Sequence, residues 1–554
     1  MSQERKRKGP YTKRQVLQMI GGSAAVGLAG CSGGGGDSGD DGSSSDGSGD
    51  DGSSDGSDTS DNPSEISQGG TLEIGVDTSL QTLDPRSYGG LVSIQVFGNL
   101  YSQLMQWRQV EDGYVLEGDL ATDWEWQEET ELVIELDENA EFWNGDPVTS
   151  EHVLYTIQSL REDPSLSVGG DFRLDLMSEE AIDDHTVLID CDEPIGSLEA
   201  SLGYTLGIVN KDIDQQRDIR FDPMGSGPFV LEERTGDQVI LEANEDYWKE
   251  DEDGNQLPYL DGLVFNLYSE RGPRVNALEQ GELDHVGTIP ILDVERLQEM
   301  DEVNITMGEP GGRRGIIHFN TTEPPFDDVH ARRAILHAMD WETIVEGVWR
   351  GFAEKAGTQA TPTALGWDHG AEDPYDGVDI EAAEAEIEAS PYSKDEFQFT
   401  NLLRNTDTEV NRAQQAIQDT ISSELGIDYD FEQLDDESWR TQNRNADGFG
   451  FTVMDWSGGW DPDHFTTMAW SEAYFNWGGY ANDDVDELYR EASLSRDKDE
   501  REEMYRELHE TVHDDAGKYF AYWYPHIQGH RSNVYNVESG MDLMMYFERV
   551  WKDD

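Results

Sequence analysis

Apolar and polar positions along the chain fall into short runs whose period changes from place to place. Leu72, Ile74 and Val76 alternate with other residues and predict a strand over Thr71 to Val76. A turn at Leu83-Asp84-Pro85 precedes a helix-like pattern from Leu91 to Leu104. Ala121 to Trp126 and Leu132 to Leu136 read as the two strands of a hairpin. Phe142 to Thr149 reads as a turn that leads into a helix capped by Thr149 or Ser150. The apolar stripe of that helix is Val153, Leu154, Ile157 and Leu160. Thr186 to Ile189 is another strand. Ile380 to Ser390, rich in Ala and Glu, is a solvated helix. Glu502 to Asp514 is helical in pattern and runs into an aromatic strand, Tyr519 to Tyr524.

One stretch combines strand, turn and aromatic signals. Phe451, Val453 and Met454 suit a buried strand. The run breaks at Ser457-Gly458-Gly459, where the backbone can lie close to another molecule. Asp461-Pro462 closes the turn. Trp456 and Trp460 flank the glycines. Such a loop suits a small polar ligand held against bare backbone between rings. Taken locally, it also describes a strand and loop with core tryptophans.

A chain of 554 residues is long enough for two or three domains. Acidic residues number 118 and basic ones 38, for a net charge of −80. That excludes nucleic acid as a partner, since phosphate needs a basic surface. The even spread of acid through segments with globular patterning suggests a protein built for high salt, where self-repulsion is screened. The only cysteines are Cys31 and Cys191, so no disulfide framework supports the fold.

The first residues read as an address. Arg5 to Lys8, then Lys13-Arg14, form a basic start, and a weakly apolar run from Met19 to Gly30 follows. That run is too short and glycine-rich to span a membrane. Leu28-Ala29-Gly30-Cys31 resembles a lipobox, with Cys31 lipidated. Thr12 to Leu17 resembles a twin-arginine export motif with Lys13 in place of the first arginine. Residues 32–70 are mostly Gly, Ser and Asp, a composition that cannot bury enough apolar surface to fold, and they read as an acidic tether. Cys191 is expected to be a small buried hydrophobe.

Across residue 71 to the end, the chain resembles the extracytoplasmic solute-binding proteins of ABC importers, in their peptide/nickel group. The resemblance rests on blocks in order. These are Leu83-Asp84-Pro85, Leu120 to Trp124, Ala140 to Thr149, Gly225 to Phe229, Tyr247-Trp248, and Leu257 to Leu263. Ala277 to Asp284, His318 to Asn320, Pro325-Phe326, Arg332 to Ala334 and Ala338 to Asp340 continue the series. Asn476, Gly479-Tyr480 and Val485-Asp486 complete it. The resemblance implies an α/β, two-lobed, periplasmic-binding-protein-like fold of type II. It implies no enzyme activity, no cofactor, and delivery of a small polar solute, peptide foremost, to a permease and its ATPase. The domains expected are an export signal over 1–31, a tether over 32–70, lobe 1 over 71–310 with a subdomain inserted near 111–220, lobe 2 over 311–523, and a return to lobe 1 over 524–554. The protein is expected as a monomer on the extracellular face of the cell membrane, held by a lipid at Cys31.

The same resemblance implies ligand contacts at Tyr88, Gly89, Trp439, Arg444, Trp456, Ser457, Gly458, Gly459, Trp460 and Asp461. Peptide binders of this family commonly carry an aspartate in the loop to pair with the peptide's amino terminus. Here glycine stands in that place, with Asp455 and Asp461 as substitutes. Two rival readings remain. His509-Glu510-Thr511-Val512-His513 fits HExxH, the pattern of a zinc hydrolase, although no third ligand follows at the expected spacing. On the family's pattern, His509 and His513 are expected at the surface or an interface. A ligand sensor without a transporter needs the same cleft. Arg313-Arg314 is a rare basic pair, expected to be neutralised by nearby surface acids.

Overall fold

Leu72, Ile74 and Val76 are buried while Thr71 and Glu73 are less so, and Thr71–Val76 is a strand of a core sheet. The computed structural model describes residues 66–553 apart from 78–79, 88–89, 111–112, 205, 309–312, 358–359, 363–364, 406–407, 458 and 541–543, and apart from the side chains at 170, 171 and 457. Cys31 and the residues of the signal and tether up to 65 therefore lie outside the described residues.

The first lobe is built on a seven-stranded sheet. Its order is Val303–Met307, Ile527–Arg531, His285–Val286, Thr71–Val76, Gly262–Leu267, Gln238–Ala243 and Phe229–Arg234. Thr71–Val76 pairs parallel with both neighbours, and the outer pairings are antiparallel. The expected helix from Leu91 to Leu104 ends early, at Phe97. The carbonyls that would extend it are taken by distant residues: Phe229 N–H donates to Asn99 O, Gly227 N–H to Leu100 O, and Ile208 N–H to Ser102 O.

A four-stranded sheet stands apart within the first lobe, ordered Ala121–Glu128, Glu131–Leu136, Thr186–Cys191, Met177–Asp183. The helix Ser150–Glu162 covers it with Val153, Ile157 and Leu160. Thr149 caps that helix in a reciprocal box with His152, satisfying two orphan N–H groups. Cys191 lies in this core, where burial pushes its thiol up to about 12.

The second lobe holds an antiparallel sheet of Glu354–Lys355, Lys518–Tyr524, Arg313–Phe319 and Phe451–Ser457. Helices Val329–His337, Trp341–Trp349 and Thr408–Leu425 contribute buried apolar faces to the same core. The chain passes between the two sheets twice. Val303–Met307 and Arg313–Phe319 belong to different sheets, as do Lys518–Tyr524 and Ile527–Arg531. The two passages meet where Gly308 N–H donates to His526 O at 3.2 Å. An apolar cluster continues across them, from Val286 and Ile289 to Ile317 and Trp341.

Candidate functional site

The glycine loop begins where the edge strand Phe451–Ser457 of the second lobe ends. Alternation places Trp456 on the face of Met454, opposite Phe451 and Val453, and its ring meets Phe475 edge-on at 4.2 Å. Gly459 has φ +109°, and a Cβ there would stand 3.0 Å from His464 Cβ and 3.2 Å from the Phe465 ring. No other residue takes that turn without strain. Asp461 then caps the short helix Pro462–Thr466, accepting from Asp463 N–H at 3.0 Å.

The loop is pressed against the first lobe. Trp460 is buried, its ring stacked on Trp107 at 4.7 Å with 3° between planes, and the edge of Tyr114 is 5.1 Å away. Stacking of this kind adds about 0.5–1.5 kcal/mol to the burial itself. Burial lowers the His464 pKa and keeps its imidazole neutral. Its Nδ1 accepts from Trp460 N–H at 3.2 Å, so Nε2–H donates to Ser201 Oγ of the first lobe at 3.1 Å.

Charge inside the seam is matched to charge. Arg501, from the helix Lys498–Asp514, grips Asp461 with both ends of its guanidinium and lies beside Asp463. Tyr505 donates its hydroxyl to Asp463. Burial works against the Arg501 charge, but Asp461, Tyr505 and Asp463 overcome it and raise the pKa well above its usual value. Asp455 accepts from Arg313 at 2.7 Å and from the Tyr524 hydroxyl at 2.6 Å. Arg314 is buried on the opposite face of its strand, its guanidinium 4.0 Å over the Phe465 ring, and burial brings its pKa down to about 9.

These positions revise several sequence expectations. Arg313 and Arg314 are no surface pair: alternation along the strand sends one to Asp455 and buries the other. Neither Asp455 nor Asp461 is a spare carboxylate for an ammonium group, because each already answers an arginine. Trp460 packs on Trp107 within the seam. Trp439 is buried beside Trp477, its Nε1–H donating to Leu402 O at 3.4 Å. Arg444 is exposed and lies 4.4 Å over the ring of Tyr474. Tyr88, Gly89 and Gly458 lie outside the described residues, as does the side chain of Ser457. The loop thus brings Trp456, Gly459, Trp460 and Asp461 together, with Trp439 deeper in the same aromatic cluster and Arg444 at its exposed margin, over Tyr474, which meets Phe475.

The HExxH stretch is also placed. His509 and His513 are buried, which corrects their expected surface position, whereas Glu510 is exposed. The helix sets Tyr505, Leu508, His509 and Val512 on its core face at helical spacing, so Glu510 points the other way. A glutamate there cannot activate water held by the two imidazoles. His509 Nδ1 instead meets His369 Nδ1 at 3.2 Å. Among the described residues no group of His, Cys, Asp and Glu forms a metal site, and no helix is long and apolar enough to cross a membrane.

Trp107, Tyr114, Ser201 and Arg501 were not found from sequence. Trp107 carries an ordinary strand signal and Arg501 an ordinary charged-helix one, and nothing local ties either to the loop.

Comparison with known proteins agrees with this architecture. Residues 115–477 match the family described as bacterial extracellular solute-binding proteins, family 5 Middle. A probable D,D-dipeptide-binding periplasmic protein, DdpA, of Escherichia coli (strain K12) is 26% identical over 470 residues, covering 80% of this chain and 87% of its own length. Heme-binding protein A of Haemophilus influenzae is 26% identical over 357 residues, 62% of this chain and 63% of its own. In fold, NikA from Staphylococcus aureus in complex with Ni(L-His)2 superposes with TM-score 0.73 at 19% identity, covering 87% of this chain and 100% of that one. DppA from Helicobacter pylori in complex with the peptide STSA gives TM-score 0.74 at 22% identity, over 88% of this chain and 99% of that one.

Proposed function

This chain belongs to the family 5 bacterial extracellular solute-binding proteins, and from that premise we propose how it works. It serves as the substrate-binding component of an ABC importer. It captures a small polar solute, peptide foremost, between its lobes and hands it to a membrane permease driven by an ATPase. It binds and releases without covalent chemistry. The lobe limits we assign are 71–310, with a subdomain near 111–220, then 311–523, then a return over 524–554. The protein works as a monomer outside the cell, tethered by residues 32–70 to a lipid on Cys31.

One observation carries the reading. A glycine loop flanked by tryptophans lies at the seam between lobes, and residues of both lobes close on it. Contacts to the solute come from Trp456, from backbone groups at Ser457, Gly458 and Gly459, and from Tyr88 and Gly89. Closure follows the differential affinity of the solute for the closed state. A peptide as solute fits the D,D-dipeptide-binding relative. Its amino terminus then needs a partner other than Asp455 or Asp461, since a lone buried charge costs several kcal/mol.

The test is mass spectrometry of what the protein releases on denaturation, after gentle purification in molar salt. Release of short peptides supports the peptide reading, and a single sugar or chelate replaces it while keeping the binding role. Stoichiometric zinc with no organic compound overturns both.

A further inference from the structure

Arg501 touches the ligand loop and the opposite lobe with one guanidinium. Its Nη1 donates to Asp461 Oδ2 at 3.0 Å and also to the carbonyl of Gly196 at 3.1 Å. Gly196 belongs to the first lobe, between the strand Thr186–Cys191 and the helix Leu198–Leu202. Arg501 also donates from Nε to Ala492 O at 3.1 Å, which fixes its stem to the second lobe. Gly196 N–H donates to Ser493 O at 2.9 Å, and Arg173 of the first lobe donates to Ser493 Oγ at 3.3 Å. A small loop of one lobe is thus clasped by the other through main-chain groups.

We propose that Gly196 and Arg501 form a closure latch for the solute-binding cleft, in which Arg501 is a positioning residue that locks the glycine loop and the first lobe in one step. The inference rests on the solute-binding reading. Asp461 caps the helix that holds His464, and His464 in turn holds the backbone of Trp460. Shifting this loop changes the seat of the Asp461 carboxylate, and therefore the direction in which the rigid guanidinium fork points. Only one direction also meets the Gly196 carbonyl. When the lobes part, that carbonyl leaves and water reaches the ion pair. When they close, the pair is desolvated and its interactions strengthen.

Glycine is required at 196 by space and only in the closed state. A Cβ there would collide with the Ser495 carbonyl oxygen and stand 2.8 Å from Arg501 Cζ, and both atoms belong to the second lobe. Gly196→Ala therefore spares the folded lobes and blocks their meeting. Arg501→Lys is the second variant, since it keeps the charge but cannot reach Asp461 and Gly196 O together.

The experiment places spin labels at Asp175→Cys and Glu503→Cys, exposed sites on opposite lobes, and reads the inter-label distance distribution of the gently purified full chain. The released small molecules are analysed in parallel. Gly196→Ala should lower the closed-to-open ratio about tenfold or more, with the urea midpoint unchanged. Arg501→Lys should shift it the same way. A distribution unchanged in Gly196→Ala overturns the latch, and if wild type and variant both carry the same solute, the binding reading survives that failure. A shifted distribution in a protein that carries no small molecule keeps the latch as an inter-lobe contact and overturns only a tightly retained solute as the cause of closure.

Discussion

Acidification should unfold this protein well before its carboxylates titrate, because its histidines are buried neutral. Burial lowers the pKa of His285 and His369 to about 3, and of His513 and His526 to about 4. In the unfolded chain each returns to about 6.5. A folded pKa below the unfolded one means that the unfolded state binds more protons between the two. Stability is therefore full above about pH 6.5 and falls as the pH drops toward the folded values. At pH 5 each of the four takes up about 0.9 proton on unfolding, together about 3.5, for a slope of about 5 kcal/mol per pH unit. Integrated from pH 7 to 5, the loss is about 1.9 kcal/mol per histidine and about 7.5 in all, comparable with the whole stability of a typical domain. Repulsion within a chain of net charge −80 acts the other way, since protonating carboxylates relieves it. At 1 M salt, with a Debye length of about 3 Å, that opposing effect is screened. The assay is urea unfolding followed by circular dichroism between pH 7 and 5 in molar KCl. If the lobes unfold separately, the transition of the second lobe should carry more than half the slope, since burial lowers the pKa of His318, His464 and His509 there as well as of His369 and His513. His513→Phe should remove about 0.9 proton from the uptake at pH 5. A total uptake below about one proton refutes the reasoning.

Three further outcomes are expected. Trp456→Ala should weaken solute retention strongly while leaving the urea midpoint in place, because Trp456 is only partly buried and ends its strand; unchanged retention by mass spectrometry rules out the loop as the site. Gly459→Ala should cost about 1–3 kcal/mol, read as a lower urea midpoint, because φ is +109° and the new Cβ meets His464. Glu510→Gln should leave stability within about 0.5 kcal/mol, since the side chain is exposed; a much lower urea midpoint contradicts the placement of that helix.

Local signals were legible where local physics decides. Thr149 announces a helix because a hydroxyl there satisfies orphan N–H groups a few residues away. Phe451 and Val453, like Tyr519 to Tyr524, announce strands because fully apolar short runs need a sheet on both faces. The helix over 91–104 failed for the opposite reason: its later carbonyls bond to residues more than 100 positions away, which no window contains. His509 and His513 could have been placed from the stripe of Tyr505, Leu508 and Val512, where helical spacing already puts them on the core face.

The sequence by itself determined the class of the protein. The alternating runs and turn residues mark the strands and helices, and the order of blocks from Leu83 to Asp486 carries the resemblance to a solute-binding family that the match over residues 115–477 supports. Only the tertiary structure decided what the loop at 456–461 touches. Trp460 stacks on a ring 353 positions earlier, Asp461 is neutralised from a helix 40 positions later, and Arg444 turns to solvent. Pattern along a chain reports which face of an element is apolar. Which faces meet, and which charges are left to answer a ligand, depends on how separate elements share one volume, and that is settled by packing across the whole fold.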